Sequence, residues 1–198
     1  MAAYKRKDGY YKKAKKEGYR SRAVYKLKQI DEKFNVLKHG MKVVDLGAAP
    51  GSWSEYAVEM VGEGNVIAVD LNRIPDIPGV TFYKGDMTDE ETVSYVAELS
   101  GGVDVVVSDM APKFTGDHSL DQARSLYLGE CALKFCQRTL KPGGDFIVKV
   151  LQGTDFNNFL NKVRLHFEDV KCHSPVASRS SSTEMYVVAQ GFIKQRKD

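Results

Sequence analysis

Short apolar runs alternate along the chain with segments whose apolar residues recur every three or four positions. Runs at 42–47 (KVVDLG), 65–71 (NVIAVDL), 80–86 (VTFYKGD) and 103–112 (VDVVVSDMAP) predict strands, as do 145–153 (DFIVKVLQG), 167–173 (FEDVKCH) and 184–192 (EMYVVAQGF). Helical spacing predicts helices over about 22–34, 53–62, 88–100, 119–140 and 155–166. In the first of these Val24, Leu27, Ile30 and Phe34 form the apolar stripe, Ser21 is the candidate cap, and Lys26 lies off the stripe. Strands alternating with helices predict an α/β domain, a parallel sheet with helices on both faces.

Two charges interrupt this pattern. Lys149 stands inside FIVKVLQG, a run that otherwise reads as a strand covered on both faces. An unpaired ammonium there costs several kcal/mol, so the lysine is paired, neutral, at the strand's exit into a cleft, or snorkelling from an edge. Asp109 poses the same question with opposite sign at the end of VDVVVSD, where a helix cap is the simpler alternative. Opposite charges at matched depth on neighbouring strands would offset each other's desolvation.

The turn after the first strand, GAAPGSW, is small and glycine-rich, and in a doubly wound sheet such a turn meets the ligand. Gly47 and Gly51 let backbone approach closely. The spacing is G-x-x-x-G, with Ala49 where the dinucleotide fingerprint has its second glycine, which disfavours a NAD-dependent oxidoreductase. S-adenosylmethionine needs no phosphate cradle. Asp70, ending the second strand, suits its ribose hydroxyls, and Asp86, ending the third, its adenine amino group.

Composition adds bounds. A chain of 198 residues with 42% hydrophobic content suits one domain, 1–198, and no apolar run approaches the roughly 18 residues of a membrane span. Three cysteines, Cys131, Cys136 and Cys172, show neither C-x-x-C nor zinc-finger spacing, so reduced thiols and no metal are expected. Absence of a secretory pattern in the first residues predicts a cytoplasmic protein, and a monomer is expected. The net charge of +3 conceals an asymmetry: residues 1–28 hold 11 Lys/Arg against 2 acids. A basic arm, 1–20, thus precedes a catalytic core, 21–198. Tyr4, Tyr10, Tyr11 and Tyr19 alternate there with cations, the mixture with which RNA binders meet phosphates and unstacked bases. Candidate RNA contacts are Lys12, Lys13, Lys16, Arg20, Arg22 and Lys28, with Lys113 beyond the arm. Phosphate contacts of this kind make binding salt-dependent.

The segments EGYRSRAVYKLKQID, VVDLGAAPGSWSEYAV, GDMTD, VVVSDMAPKFTG, LKPGGDFIVKVLQG and SRSSSTEMYVVAQGF, in this order across nearly the whole chain, resemble the FtsJ-type RNA 2′-O-ribose methyltransferases. That resemblance implies a Rossmann-like class I methyltransferase fold, with a mostly parallel seven-stranded sheet whose last strand is antiparallel. It implies a Lys-Asp-Lys-Glu tetrad around the target hydroxyl, mapping onto Lys26, Asp109, Lys149 and Glu184. The cofactor implied is S-adenosylmethionine, with contacts from Gly47, Ala48, Pro50, Gly51 and Trp53 of the loop and from Asp70, Asp86, Met87 and Asp109. The partner implied is RNA, first a uridine ribose in the peptidyl-transferase region of large-subunit ribosomal RNA, second a transfer-RNA anticodon loop. Lys149 can serve as general base only when neutral, a form favoured by burial and by Lys26 and opposed by Asp109. Two positions depart from the family pattern: Ser52 stands in place of the second glycine before Trp53, and Lys113 stands where the bacterial ribosomal enzymes tend to have Asn.

Overall fold

The computed structural model describes residues 9–178 and 183–193. Seven strands form one sheet: β1 (Val43–Leu46), β2 (Val66–Asp70), β3 (Val80–Lys84), β4 (Val103–Ser108), β5 (Leu140–Leu151), β6 (Phe167–His173) and β7 (Glu184–Phe192). Their order is β3-β2-β1-β4-β5-β7-β6. The pairs from β3 through β5 are parallel, and β7 runs antiparallel to both β5 and β6. The strand order therefore reverses between β1 and β4, and the crevice outside their C-terminal ends is where such a sheet binds ligands.

Helices cover both faces. On one, α2 (Val24–Phe34) and α3 (Ser52–Val61) bury Leu27, Ile30, Trp53 and Ala57 against Val43, Val105, Val107 and Ile147. On the other, α4 (Glu90–Ser100), α5 (His118–Thr139) and α6 (Phe156–Arg164) bury Val96, Phe135 and Phe159 against Val44, Val106 and Val148. Alternate residues of each central strand point to opposite helix layers, which is why these strands read as continuous apolar runs. Asp45 and Lys149 break the runs, and both are buried on the α2/α3 side or at its edge.

Three differences from the sequence expectations have local causes. The arm contains a helix, α1 (Gly9–Glu17). Its pattern is weakly amphipathic, and its anchorage is tertiary: Ala14 is buried and Tyr10 packs on Tyr25 at 5.4 Å. Ser21 does not cap α2 at the expected place. Its hydroxyl accepts from the Ala23 amide at 3.2 Å and the helix starts at Val24. Strand β5 begins at Leu140 rather than after the glycines, with the register shifting between Val103 and Val105 as the Pro142-Gly143-Gly144 bend passes.

Gly129, in the middle of α5, marks the closest approach of that helix to the sheet. A methyl placed there would lie 2.9 Å from Val150 Cγ1 and 3.1 Å from Phe159 Cζ. Gly129→Val is expected to destabilise the protein by about 1–3 kcal/mol through overpacking, read as a lower urea midpoint with an unchanged m-value.

Candidate active site

The turn after β1 is forced into place by its neighbours. Gly47 has φ +78°, and a Cβ there would sit 2.7 Å from Met110 Cγ and 2.8 Å from Met110 Cα, so the crossing of the β1 and β4 exits admits only glycine. The Ala49 amide donates to Asp70 Oδ2 at 2.9 Å, tying the turn to the end of β2, and Asp70 Oδ1 accepts from the Asn72 amide at 2.7 Å. Asp86 accepts at Oδ1 from the Thr88 amide and hydroxyl at 2.8 and 2.7 Å. These are the local turn roles open to any aspartate at a strand end, yet both residues also line a cavity.

That cavity, of about 270 Å³, is bounded by Gly47, Asp70, Asp86, Met87 and Asp109 among the expected residues. Ala49, Leu71, Asn72, Gly85, Met110, Ala111 and Leu128 complete much of its wall, and none of them was among the expected cofactor contacts. Three of the lining side chains are carboxylates and none is a cation. Such a lining suits a ligand that brings hydroxyls and positive charge, as a ribose and a sulfonium do, and repels a pyrophosphate. Ala48, Pro50, Gly51 and Trp53 are not among the lining residues. Trp53 is 2% exposed and donates its indole N–H to the Ala23 carbonyl at 2.8 Å, with its ring 5.9 Å from that of Tyr186. It thereby fixes the start of α2, the helix that carries Lys26.

Beside the cavity the four charged residues singled out in the sequence come together from four distant segments. Lys149 Nζ lies 2.9 Å from Asp109 Oδ1 and donates to the Asp109 carbonyl at 2.7 Å. Lys26 Nζ lies 2.6 Å from Glu184 Oε2. The pairing answers the burial of Lys149, which is 7% exposed. Between the two pairs stands Tyr186, 0% exposed, whose hydroxyl donates to Asp109 Oδ1 at 2.9 Å and whose ring faces Lys26 Nζ at 5.6 Å. Tyr186 is opposite Lys149 in the antiparallel β5–β7 register, and its alternation with Glu184 follows from the two-residue period of the strand. The sequence reading missed it because a tyrosine in an apolar strand looks like core.

Electrostatics bind the cluster further. Burial alone would raise the Asp109 carboxyl, but the charges of Lys149 and Lys26, with hydrogen bonds from Lys149 and Tyr186, hold it below the usual carboxylate range. Burial, then the charges of Asp109 and Glu184, push the Tyr186 phenol well up, so it remains a donor. One layer deeper, Asp45 is fully buried. Ser54 Oγ donates to its Oδ2 at 2.6 Å, and its Oδ1 has no partner among the described residues. Desolvation raises this carboxyl to about 7 against the Ser54 hydrogen bond, with the charges of Asp109 and Asp70 adding to the rise.

The expected RNA contacts divide. Lys12, Lys13 and Lys16 are exposed on α1, and Lys113 is exposed on the loop after β4. Arg20, Arg22 and Lys28 are committed within the protein instead. Arg20 bridges Glu55 at 2.5 Å and donates to the carbonyls of Pro75 and Asp76 at 3.1 and 2.9 Å. Arg22 donates to the Ala177 carbonyl, and Lys28 to the Tyr19 hydroxyl at 2.6 Å. The departure at Ser52 also has a partner: its hydroxyl is 2.7 Å from that of Ser21.

This sheet order, with its antiparallel β7 and a carboxylate-lined cavity at the switch point, defines the Rossmann-like class I methyltransferases. The family model for FtsJ-like methyltransferases matches residues 19–192, and the chain belongs to that family. S-adenosylmethionine is the methyl donor of its members. Similar proteins include the ribosomal RNA large subunit methyltransferase E of Halorubrum lacusprofundi, 53% identical over 94% of this chain and 71% of that one. The protein of that name from Methanothrix thermoacetophila is 49% identical over 94% of this chain and 73% of that one. Among solved structures, a Plasmodium falciparum protein described as a ribosomal RNA methyltransferase superposes with a TM-score of 0.79. It is 28% identical, covering 89% of this chain and 100% of that one.

Proposed function

We propose that the chain methylates the 2′-hydroxyl of a ribose in large-subunit ribosomal RNA, a uridine of the peptidyl-transferase region, acting in the cytoplasm as a monomer. The observation that carries this reading is the pair of ion pairs, Lys149–Asp109 and Lys26–Glu184, joined by Tyr186 beside the cavity. The relatives named for large-subunit ribosomal RNA supply the substrate.

The residues fit the cofactor. Asp70 and Asp86 offer carboxylates to hydroxyl and amino groups, and Gly47 leaves room for close approach of the backbone. When bound, S-adenosylmethionine supplies a methyl group on a sulfonium, already an electrophile. A ribose hydroxyl is a weak nucleophile near neutral pH, so what the protein must add is placement and a route for the proton. Asp109 holds the Lys149 nitrogen through both its carboxylate and its carbonyl, fixing the direction of the remaining valences. The proton of the attacking hydroxyl would pass to neutral Lys149, which becomes the ammonium that Asp109 balances. Glu184 offsets the charge of Lys26, so the cluster holds two cations against two carboxylates.

The test supplies labelled S-adenosylmethionine with large ribosomal subunits, and separately with transfer RNA, both from cells lacking the enzyme, and maps the labelled nucleotide. Label on a 2′-oxygen of large-subunit RNA is the expected result. Label confined to transfer RNA would move the substrate to an anticodon loop.

A further inference from the structure

The loop that leaves β4 carries an exposed aromatic that the chemistry above does not use. Met110 and Ala111 are cavity wall, Lys113 is exposed, and Phe114 is 60% exposed. An exposed phenylalanine on a slack loop would fold back onto apolar surface, but this loop is braced. Asp121, 5% exposed at the start of α5, accepts at Oδ1 from the Thr115 amide and hydroxyl, both at 2.9 Å, and at Oδ2 from the Gly116 amide at 3.2 Å. Asp117 caps α5 through the amides of Ser119 and Leu120 at 2.9 and 3.1 Å. The backbone on the C-terminal side of Phe114 is thus pinned while the ring faces solvent. It lies five positions after Asp109, so its Cα is within about 18 Å of the Asp109 Cα even at full extension.

From this placement we infer that Phe114 is a stacking platform for an unpaired nucleobase flanking the target nucleotide, with Lys113 on the adjoining phosphate. A single-stranded segment whose ribose reaches Lys149 must present its neighbouring bases to the surface around the cavity mouth. A rigidly held aromatic next to a cation is the pairing that unstacked RNA bases take up. The inference rests on the RNA-ribose reading above.

The experiment compares steady-state kinetics of the parent, Phe114→Ala, Phe114→Leu and Phe114→Trp on whichever RNA the parent labels. Phe114→Ala and Phe114→Leu are expected to raise the KM for RNA on the order of 10-fold, with kcat and the KM for S-adenosylmethionine unchanged, and Phe114→Trp to restore it. Parent-like behaviour of Phe114→Leu would make the contact merely apolar, and a raised cofactor KM would make the loop a cofactor lid; either overturns the stacking role. A parent that labels RNA beside an unaffected Phe114→Ala overturns this inference alone. A parent that labels no RNA removes the functional reading and this one with it.

Discussion

Lys149→Arg is expected to lower the single-turnover rate of methyl transfer by about 10²–10⁴-fold, the range for loss of a general base, while cofactor affinity holds. Arginine keeps the positive charge that balances Asp109, so the buried carboxylate is not stranded. It does not give up its proton near neutral pH, so it cannot receive one from the ribose. Alanine is the poorer probe: it takes the nearest cation from Asp109, leaving only Tyr186 and the more distant Lys26 to stabilise the carboxylate, and so mixes folding with chemistry. Retention of most of the rate in Lys149→Arg would reduce the lysine to a device for positioning the oxygen.

Asp45→Asn should act on stability, and with a sign that depends on pH. The folded carboxyl titrates at about 7 against an ordinary 3.8, so the native state holds a proton that the unfolded chain releases. Where the native state binds more protons, stability falls as pH rises. The loss begins near the unfolded value, grows through the window between the two, and levels off above about 7, reaching roughly 4 kcal/mol for a shift of this size. Asparagine has no proton to lose and keeps an acceptor for Ser54. The variant should therefore match the parent near pH 4 and exceed it at pH 8. Denaturant titrations of both proteins at each pH give the difference directly, cancelling carboxylates such as Asp109 that titrate in both. A difference that does not change between pH 4 and 8 would mean Asp45 is ionised in the fold.

How much of this was legible beforehand depended on the range of the interaction. Strands such as VDVVVS show themselves because both faces are buried, and α6 because Phe156, Phe159, Leu160 and Val163 recur at helical spacing. Lys149 and Asp109 were conspicuous as charges at the edge of apolar runs, and the family resemblance supplied their company with Lys26 and Glu184. Tyr186 carried no such contrast. Its role depends on register, since only pairing with β5 sets it opposite Lys149. The arm shows the same dependence on distant partners. Arg20 looks like a phosphate ligand until Glu55, 35 residues away, is found beside it, and α1 looks like a charged tail until Tyr25 is found under Tyr10. Local composition records what a residue could do, whereas tertiary partners decide what remains available to a ligand.

Strand β7 has a consequence for the timing of activity during synthesis. It enters the sheet between β5 and β6, although both precede it in the chain. The cavity walls come from residues 47 to 128, all of which leave the ribosome before β7. Tyr186 and Glu184 emerge after all of these, and Glu184 must then find a lysine 158 positions upstream. Until that closure a nascent chain has the cavity walls, Asp109 and Lys149 but lacks the Lys26–Glu184 pair and Tyr186 of the proposed centre. Under the proposed mechanism, methyl transfer therefore waits until β7 has been made and has entered the sheet.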